Sequence, residues 1–299
     1  MNPKTKGTLL VLLCVCMWSL VPVVAKYGQT SLDNHQFLFW SSLVSFLALG
    51  LLALVTGKLP QLKTIRLKDL GFIAILGLLG SYVYYLFLYL GYAQAAGMEV
   101  LVFQYTWPLF IALFSLFLLH EKLTWRKTTA LLLGFAGVLI VVTKGDFQSV
   151  NLSNPQVILL VALGAASFAL FSVLSKFVTR DPILVVTLYF FTATLASLAS
   201  MFWFSDFALP AISEIPSVLV NGLVVNGFSY VFWQIALNAT EASYLAPFTF
   251  ITPILSAVLL VVFLREPFLP VYGLALLCII GGGLINSLGT KGKESASLS

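Results

Sequence analysis

Apolar residues run along this chain in ten long stretches separated by short polar ones. About 20 mostly apolar residues cross the hydrocarbon core of a bilayer as a helix. By that measure the stretches are 8–25, 37–55, 70–90, 100–119, 128–142, 157–174, 183–204, 218–237, 242–264 and 268–288. Each reads as a membrane helix; 128–142 is short, and Gly145 and its neighbours could extend it. The connections are brief, and none can hold a soluble domain. Lys4 and Lys6 precede the first stretch, and it lacks a small-residue cleavage site, so it reads as a retained span and not as a removed signal peptide.

The ten stretches fall into two sets of five. Trp18-Ser-Leu-Val-Pro-Val-Val-Ala-Lys26 matches Phe168-Ala-Leu-Phe-Ser-Val-Leu-Ser-Lys176 at an offset of 150 residues. Pro108 and Pro253 are offset by 145, and each is followed thirteen residues on by an acid, Glu121 or Glu266. Gly137 and Gly282 keep the offset of 145. An odd number of spans repeated in tandem places the second copy upside down in the bilayer. The predicted fold is therefore an all-α polytopic membrane protein of ten transmembrane helices in two inverted five-helix repeats. Residues 1–148 form the first unit, 149–290 the second and 291–299 a cytoplasmic tail. Inverted repeats around a site at the midplane are the architecture of secondary transporters.

Composition agrees with lipid as the solvent. Of 299 residues 60% are hydrophobic and 9% charged, with mean hydropathy +1.02, where a soluble domain averages about a quarter charged. The net charge of +5 is dispersed, unlike the clustered basic face that binds nucleic acid. Cys14, Cys16 and Cys278 all lie in apolar stretches without metal-ligand spacing, and no cofactor is expected. The two histidines, His35 and His120, flank spans. With no paired carboxylates and no His-rich helix, an intramembrane enzyme is disfavoured. Lys and Arg set the orientation. Thirteen fall on one side, at the amino terminus, between spans two and three, four and five, six and seven, and after span ten. Only Lys26, Lys144 and Arg265 fall on the other. Both termini are thus expected in the cytoplasm.

The motifs resemble those of the drug/metabolite transporter superfamily, and in particular its ten-span EamA-type exporters. The resemblance spans nearly the whole chain, Gly7 to Leu288. It is carried by Trp18-Ser19, by Pro108 and Pro253 in spans four and nine, by the acids in His120-Glu121-Lys122 and Arg265-Glu266-Pro267, and by the glycines of spans five and ten, Gly134, Gly137, Gly281, Gly282 and Gly283. Tyr105-Thr-Trp107-Pro108 is similar to the Tyr-x-Trp-Pro element of bacterial aromatic amino-acid exporters, whereas the second half has Phe250-Ile-Thr252-Pro253 at that place. The resemblance implies a multi-pass protein of the bacterial inner membrane that exports amino acids, with aromatic or large neutral ones first. The alternative is a broad-specificity metabolite or drug exporter of the same superfamily.

Several side chains could carry transport. Tyr82, Tyr85, Tyr89 and Tyr92 recur at steps of three, four and three, which puts them on one helical face. A tyrosine hydroxyl in hydrocarbon needs a partner, so this face reads as a cavity wall, with Tyr82 and Tyr85 deepest and Tyr92 in the interfacial belt. In span eight Tyr230, Trp233 and Gln234 form the matching face, and Tyr230 is the repeat mate of Tyr85. Gln104, Tyr105 and Trp107 precede Pro108, and Pro108 and Pro253 are expected to kink spans four and nine and free carbonyls towards a cavity. Trp18 and its mate Phe168 stand mid-span, as cavity lining or as packed aromatics; the resemblance favours lining for Trp18. Glu99 is the only acid placed inside a span, as a proton-coupling or ammonium-binding group or as an interfacial acid that meets water. Glu121 and Glu266 read as capping or ion-pairing residues at the loops, and Lys26 and Lys176 as snorkelling cations. The glycines of spans five and ten permit close helix approach within one chain or between two.

Reporter fusions after Lys68 and after Lys144 are expected to report opposite sides of the membrane. The same side for both would overturn the topology and the inverted repeat.

Overall fold

In a computed structural model of the chain, the described residues are 2–95, 97–143, 145–146, 153–264 and 270–288. Among them every regular element is helical. Among the described residues, seven helices are long and apolar enough to cross a membrane: Pro3–Gly28, Asn34–Val55, Leu67–Gln94, Val100–Leu118, Pro155–Phe177, Pro182–Phe204 and Ile215–Ala239. Shorter apolar helices cover Ala242–Ser256 and Gly273–Asn286.

Three of these helices are interrupted, and the interruptions have one cause. The first consists of α1 (Pro3–Trp18) and α2 (Val21–Gly28), with Pro22 at the start of α2. After α3 (Asn34–Val55), α4 (Leu67–Gly77) and α5 (Tyr84–Gln94) comes a helix divided into α6 (Gly97–Gln104) and α7 (Trp107–Leu118), with Pro108 at the start of α7. A proline ring clashes with the carbonyl four residues back. Those residues are Trp18 and Gln104, which are the last of α1 and α6. Pro253 acts alike. It lies near the start of α14 (Ile251–Leu264), and Thr249, four residues earlier, is in the 3₁₀ segment Ala246–Phe250 that follows the short helix α13 (Ala242–Leu245). Pro108 thus opens a new half-helix, where its missing N–H is no loss. The Pro22 break departs from the continuous first span expected from its apolar run. Phe168 lies in the unbroken α9 (Pro155–Leu174), where Ser172 stands in place of Pro22.

A hydroxyl serves a carbonyl at each break. The Ser19 Oγ donates to Cys16 O at 2.7 Å, Thr106 Oγ1 to Phe103 O at 2.5 Å and Thr249 Oγ1 to Ala246 O at 2.7 Å. Ser256 Oγ reaches across from α14 to Ser19 O at 3.0 Å. In lipid such carbonyls would otherwise have no partner.

Packing follows a two-fold exchange of elements. The most extensive pairs are α3 with α10 (Pro182–Phe204) and α8 (Trp125–Thr143) with α15 (Val271–Leu288). Next come α1 with α12 (Ser229–Ala239), and α5 with α9. Within one chain, α8 and α15 approach through their glycines. A Cβ on Gly137 would come within 2.6 Å of Ile279 Cγ1, and one on Gly282 within 3.0 Å of Ala130 O. Two helices also contain a π-helical turn at corresponding places, Leu78–Val83 between α4 and α5, and Asn221–Phe228 between α11 (Ile215–Val220) and α12.

Buried acids tie the loops. Glu214, in the loop before α11, accepts from Ser31 N (2.6 Å), Ser31 Oγ (2.8 Å), Thr30 Oγ1 (2.9 Å), Ala211 N (2.9 Å) and Leu32 N (3.1 Å). At another set of loops, Glu121 caps α13 by accepting from Ala242 N at 3.0 Å and Ser243 N at 2.9 Å. Lys176 donates to Leu237 O and Thr240 O and stands 3.8 Å from Glu121, while Lys127 pairs with Glu241 at 2.6 Å. Glu266 and Arg265 lie outside the described residues.

Burial raises the pKa of Glu214, but the hydrogen bonds from Ser31, Ala211 and Leu32 outweigh it and hold the carboxyl at about 2, below its ordinary 4.5. A depressed folded-state value adds stability above the unfolded pKa and loses it as pH falls through the folded one. The melting temperature of the detergent-solubilised protein should therefore lose this contribution from about pH 4.5 down towards pH 2. Glu214→Gln should melt several degrees lower at pH 7, at about 2–4 °C per kcal/mol, with a shallower acid limb. An unchanged melting point and acid limb would show that the tie carries no stability.

Candidate functional site

The breaks and π-helical turns bring aromatic side chains together in the middle of the bundle. Trp18 ends α1, Trp107 begins α7, Phe168 lies in α9, and Tyr84 and Tyr85 follow the first π-helical turn. A cavity lies among them, lined by Trp18, Val21, Tyr84, Tyr85, Gln104, Tyr105, Trp107 and Phe168. No lining residue carries a formal charge. The rings meet mostly edge to face: Trp18 with Trp107 at 5.9 Å, Trp18 with Phe168 at 6.0 Å and Trp107 with Phe168 at 5.1 Å between centroids. Such pairs add about 0.5–1.5 kcal/mol each beyond their buried area. The free volume is about 10 Å³, room for about one water molecule. In this conformation the cage is too small for a solute of amino-acid size, which needs the rings to part.

Trp233 and Tyr230 stand behind the lining. The Trp233 ring meets Trp18 at 5.4 Å and Trp107 at 5.9 Å; that of Tyr230 meets Phe168 at 5.9 Å and its repeat mate Tyr85 at 6.1 Å. Their polar ends are all satisfied by other helices. Trp18 Nε1 donates to Ser229 Oγ at 2.8 Å, Trp233 Nε1 to Ser172 Oγ at 3.1 Å and the Tyr230 hydroxyl to Gly80 O, inside the first π-helical turn, at 2.7 Å.

Gln104 is the polar member of the wall. Its Nε2 donates to the Tyr84 hydroxyl at 3.1 Å, and its Oε1 accepts from the Tyr92 hydroxyl at 3.1 Å. Tyr92 is therefore held inside the protein by Gln104 and does not stand as a free interfacial residue.

Of the residues singled out from sequence, Trp18, Tyr85, Gln104, Tyr105, Trp107 and Phe168 line the cavity, and Tyr230 and Trp233 support it. Tyr82 does not: it is partly buried against the core, and Tyr84 occupies the wall. The reason is the π-helical turn Leu78–Val83, whose i→i+5 bonds add a residue to the turn and rotate Tyr82 off the face that a regular helix gives it. Pro108 and Pro253 lie just past the breaks and not on the wall. Glu99 falls in α6, and its side chain lies outside the described residues. Val21 was not anticipated; its signal was Pro22, which starts a new half-helix at that point.

A helical bundle with several helices long and apolar enough to cross a membrane, and an uncharged aromatic cage at its broken helices, defines a multi-pass membrane protein. The chain belongs to the EamA-like transporter family, whose description matches it twice, over residues 5–143 and 156–288. It is therefore a transporter of the drug/metabolite transporter superfamily. It is 27% identical to the "Aromatic amino acid exporter YddG" of Ancylobacter novellus, over 95% of this chain and 98% of that one. It is 26% identical to the "S-adenosylmethionine uptake transporter" of Rickettsia prowazekii, over 83% of this chain and 80% of that one. A crystal structure with 21% sequence identity superposes with a TM-score of 0.84 over 97% of this chain and 99% of the other, which is a likeness of fold.

Proposed function

We propose that the protein is an inner-membrane exporter of amino acids with aromatic or large neutral side chains. It works by alternating access, with ten spans in two inverted repeats, units 1–148 and 149–290, a cytoplasmic tail 291–299 and both termini in the cytoplasm. The observation that carries this reading is the uncharged cage of Trp18, Tyr84, Tyr85, Trp107 and Phe168 around Gln104. Aromatic faces and edges suit a large apolar or aromatic side chain, and the absence of a basic residue in the wall disfavours solutes with a net negative charge. The relative named an aromatic amino-acid exporter supports the same class. Inversion is supported by the offsets of 150 and 145 residues and by the paired packing of α1 with α12 and α5 with α9. In this reading the two halves part on one side at a time and open the cage.

The second reading is a broad-specificity metabolite or drug exporter. A cage built of ring faces accepts flat apolar groups and also attracts cations, and a relative named for S-adenosylmethionine uptake bears on both solute and direction.

Uptake into proteoliposomes of labelled phenylalanine, tryptophan, leucine, lysine and glutamate separates the readings. Aromatic and large neutral amino acids should be transported. Trp107→Ala should cut that transport at least about tenfold, equivalent to about 1.4 kcal/mol, with expression and monodispersity near wild type. Undiminished transport would remove Trp107 from the site.

Glu99 is the coupling candidate. An acid placed inside a span is costly and is by default a functional group. Glu99→Gln should abolish accumulation driven by a pH gradient and spare counterflow, which needs binding and rocking without net proton movement. Should the variant answer the gradient as wild type does, Glu99 is not the coupling group; should wild type also ignore it, transport is facilitated diffusion.

A further inference from the structure

Next to the cage lies a cluster of buried polar groups that the aromatic site does not use. Asn221 and Asn226 sit in the π-helical turn Asn221–Phe228, both fully buried. Asn221 Nδ2 donates to the Tyr89 hydroxyl at 2.7 Å, and the Asn226 amide also neighbours that hydroxyl. The Tyr89 ring stacks on Tyr85 of the cage wall at 5.3 Å. From α3, Ser45 Oγ donates to Gly222 O at 2.8 Å, and Ser41 O is so close to Gly222 that a Cβ there would meet it at 2.8 Å. Four atoms of this cluster are buried without any hydrogen-bond partner: Asn221 Oδ1, both Oδ1 and Nδ2 of Asn226, and Ser41 Oγ. The counterpart of Asn226 at the 145-residue offset is Ser81, in the other π-helical turn, and its buried hydroxyl is unpartnered as well.

Two ordinary explanations fit poorly. A packing residue at a helix crossing needs no amide, and an asparagine with neither end bonded is worse than leucine there, because a buried polar group without a partner is destabilising. A structural cross-link would bond both ends, as Gln104 does. Atoms left open in a buried place are instead suited to a partner that comes and goes. When none is bound, ordered water can fill such a site.

We propose that Asn221, Asn226 and the Tyr89 hydroxyl are a head-group subsite, which hydrogen-bonds the polar end of an amphipathic solute whose apolar part occupies the aromatic cage. The inference rests on the transport reading above and deepens it. The amides supply both donors and acceptors, so they serve a carboxylate and an ammonium equally. None of the groups that meet there carries a positive charge, so the subsite favours a zwitterionic amino acid or a neutral polar molecule over a net anion. The π-helical turn is what brings Asn221 and Asn226, five residues apart, to one hydroxyl, since its bonds span five residues where an α-helix spans four.

Trp18, Trp107 and Trp233 make intrinsic fluorescence a reporter of cage occupancy. The test titrates the full-length detergent-purified protein with L-phenylalanine and with ethylbenzene, which has the ring and lacks the head group. Wild type should answer both. Asn226→Leu should bind L-phenylalanine at least about tenfold more weakly, equivalent to about 1.4 kcal/mol, keep its affinity for ethylbenzene, and melt at or above the wild-type temperature. Asn221→Leu should act in the same direction and serves if the first variant does not fold. Unchanged phenylalanine affinity in a folded variant overturns the subsite, and so does an equal loss for both ligands, which would mean that the substitution disturbs the cage itself. A wild-type protein that binds ethylbenzene and no amino acid sinks the amino-acid reading instead, a result visible before any substitution is made.

Discussion

The structure depends on one constraint: a backbone carbonyl or N–H inside a bilayer must find a partner within the protein. Three prolines break this rule locally by clashing with a carbonyl four residues back, and the breaks are tolerated only where other polar groups are at hand. Ser19, Thr106 and Thr249 each return a hydroxyl to the carbonyl three residues earlier, and Ser256 covers Ser19 O from another helix. A broken helix cannot face lipid, so the three breaks are drawn to the interior. Trp18, Gln104, Tyr105 and Trp107 lie at these breaks and arrive at the centre with them. The position of the cage is a consequence of where the prolines are.

The same constraint explains the reach of the side-chain bonds. A tryptophan or tyrosine has one polar atom, and three core rings around the cage each place it on another helix. Trp18 uses Ser229, Trp233 uses Ser172, and Tyr230 uses the carbonyl of Gly80. Each bond crosses between helices, so satisfying the ring's polar end also locks two helices together. Opening the cage requires some of these bonds to be exchanged for water or solute. The charged ties lie elsewhere, at the loops, where Glu214 gathers the Thr30–Leu32 segment and Glu121 caps α13 beside Lys176. Charge holds the ends of this protein and neutral hydrogen bonds hold its middle.

Much of this was legible in the chain. The apolar stretches, the doubled motif pattern, Tyr105-Thr-Trp107-Pro108 and the pairing of Tyr85 with Tyr230 can all be read from residue type and spacing. These are local or periodic properties, and hydrophobic periodicity is imposed by lipid on each helix separately. The break at Pro22 was also legible in principle; a proline mid-span carries the same signal as Pro108. What spacing alone could not supply was Tyr84 on the wall in place of Tyr82, the five bonds of Glu214 and the unpartnered amides of Asn221 and Asn226. Each depends on a partner far along the chain or on a change of helical pitch. Residue identity establishes what a helix can bury, and by its prolines where it breaks. Which turn widens to a π-helix, and which polar atoms are left open in the core, is decided only when the two halves pack, because only then do the competing partners exist.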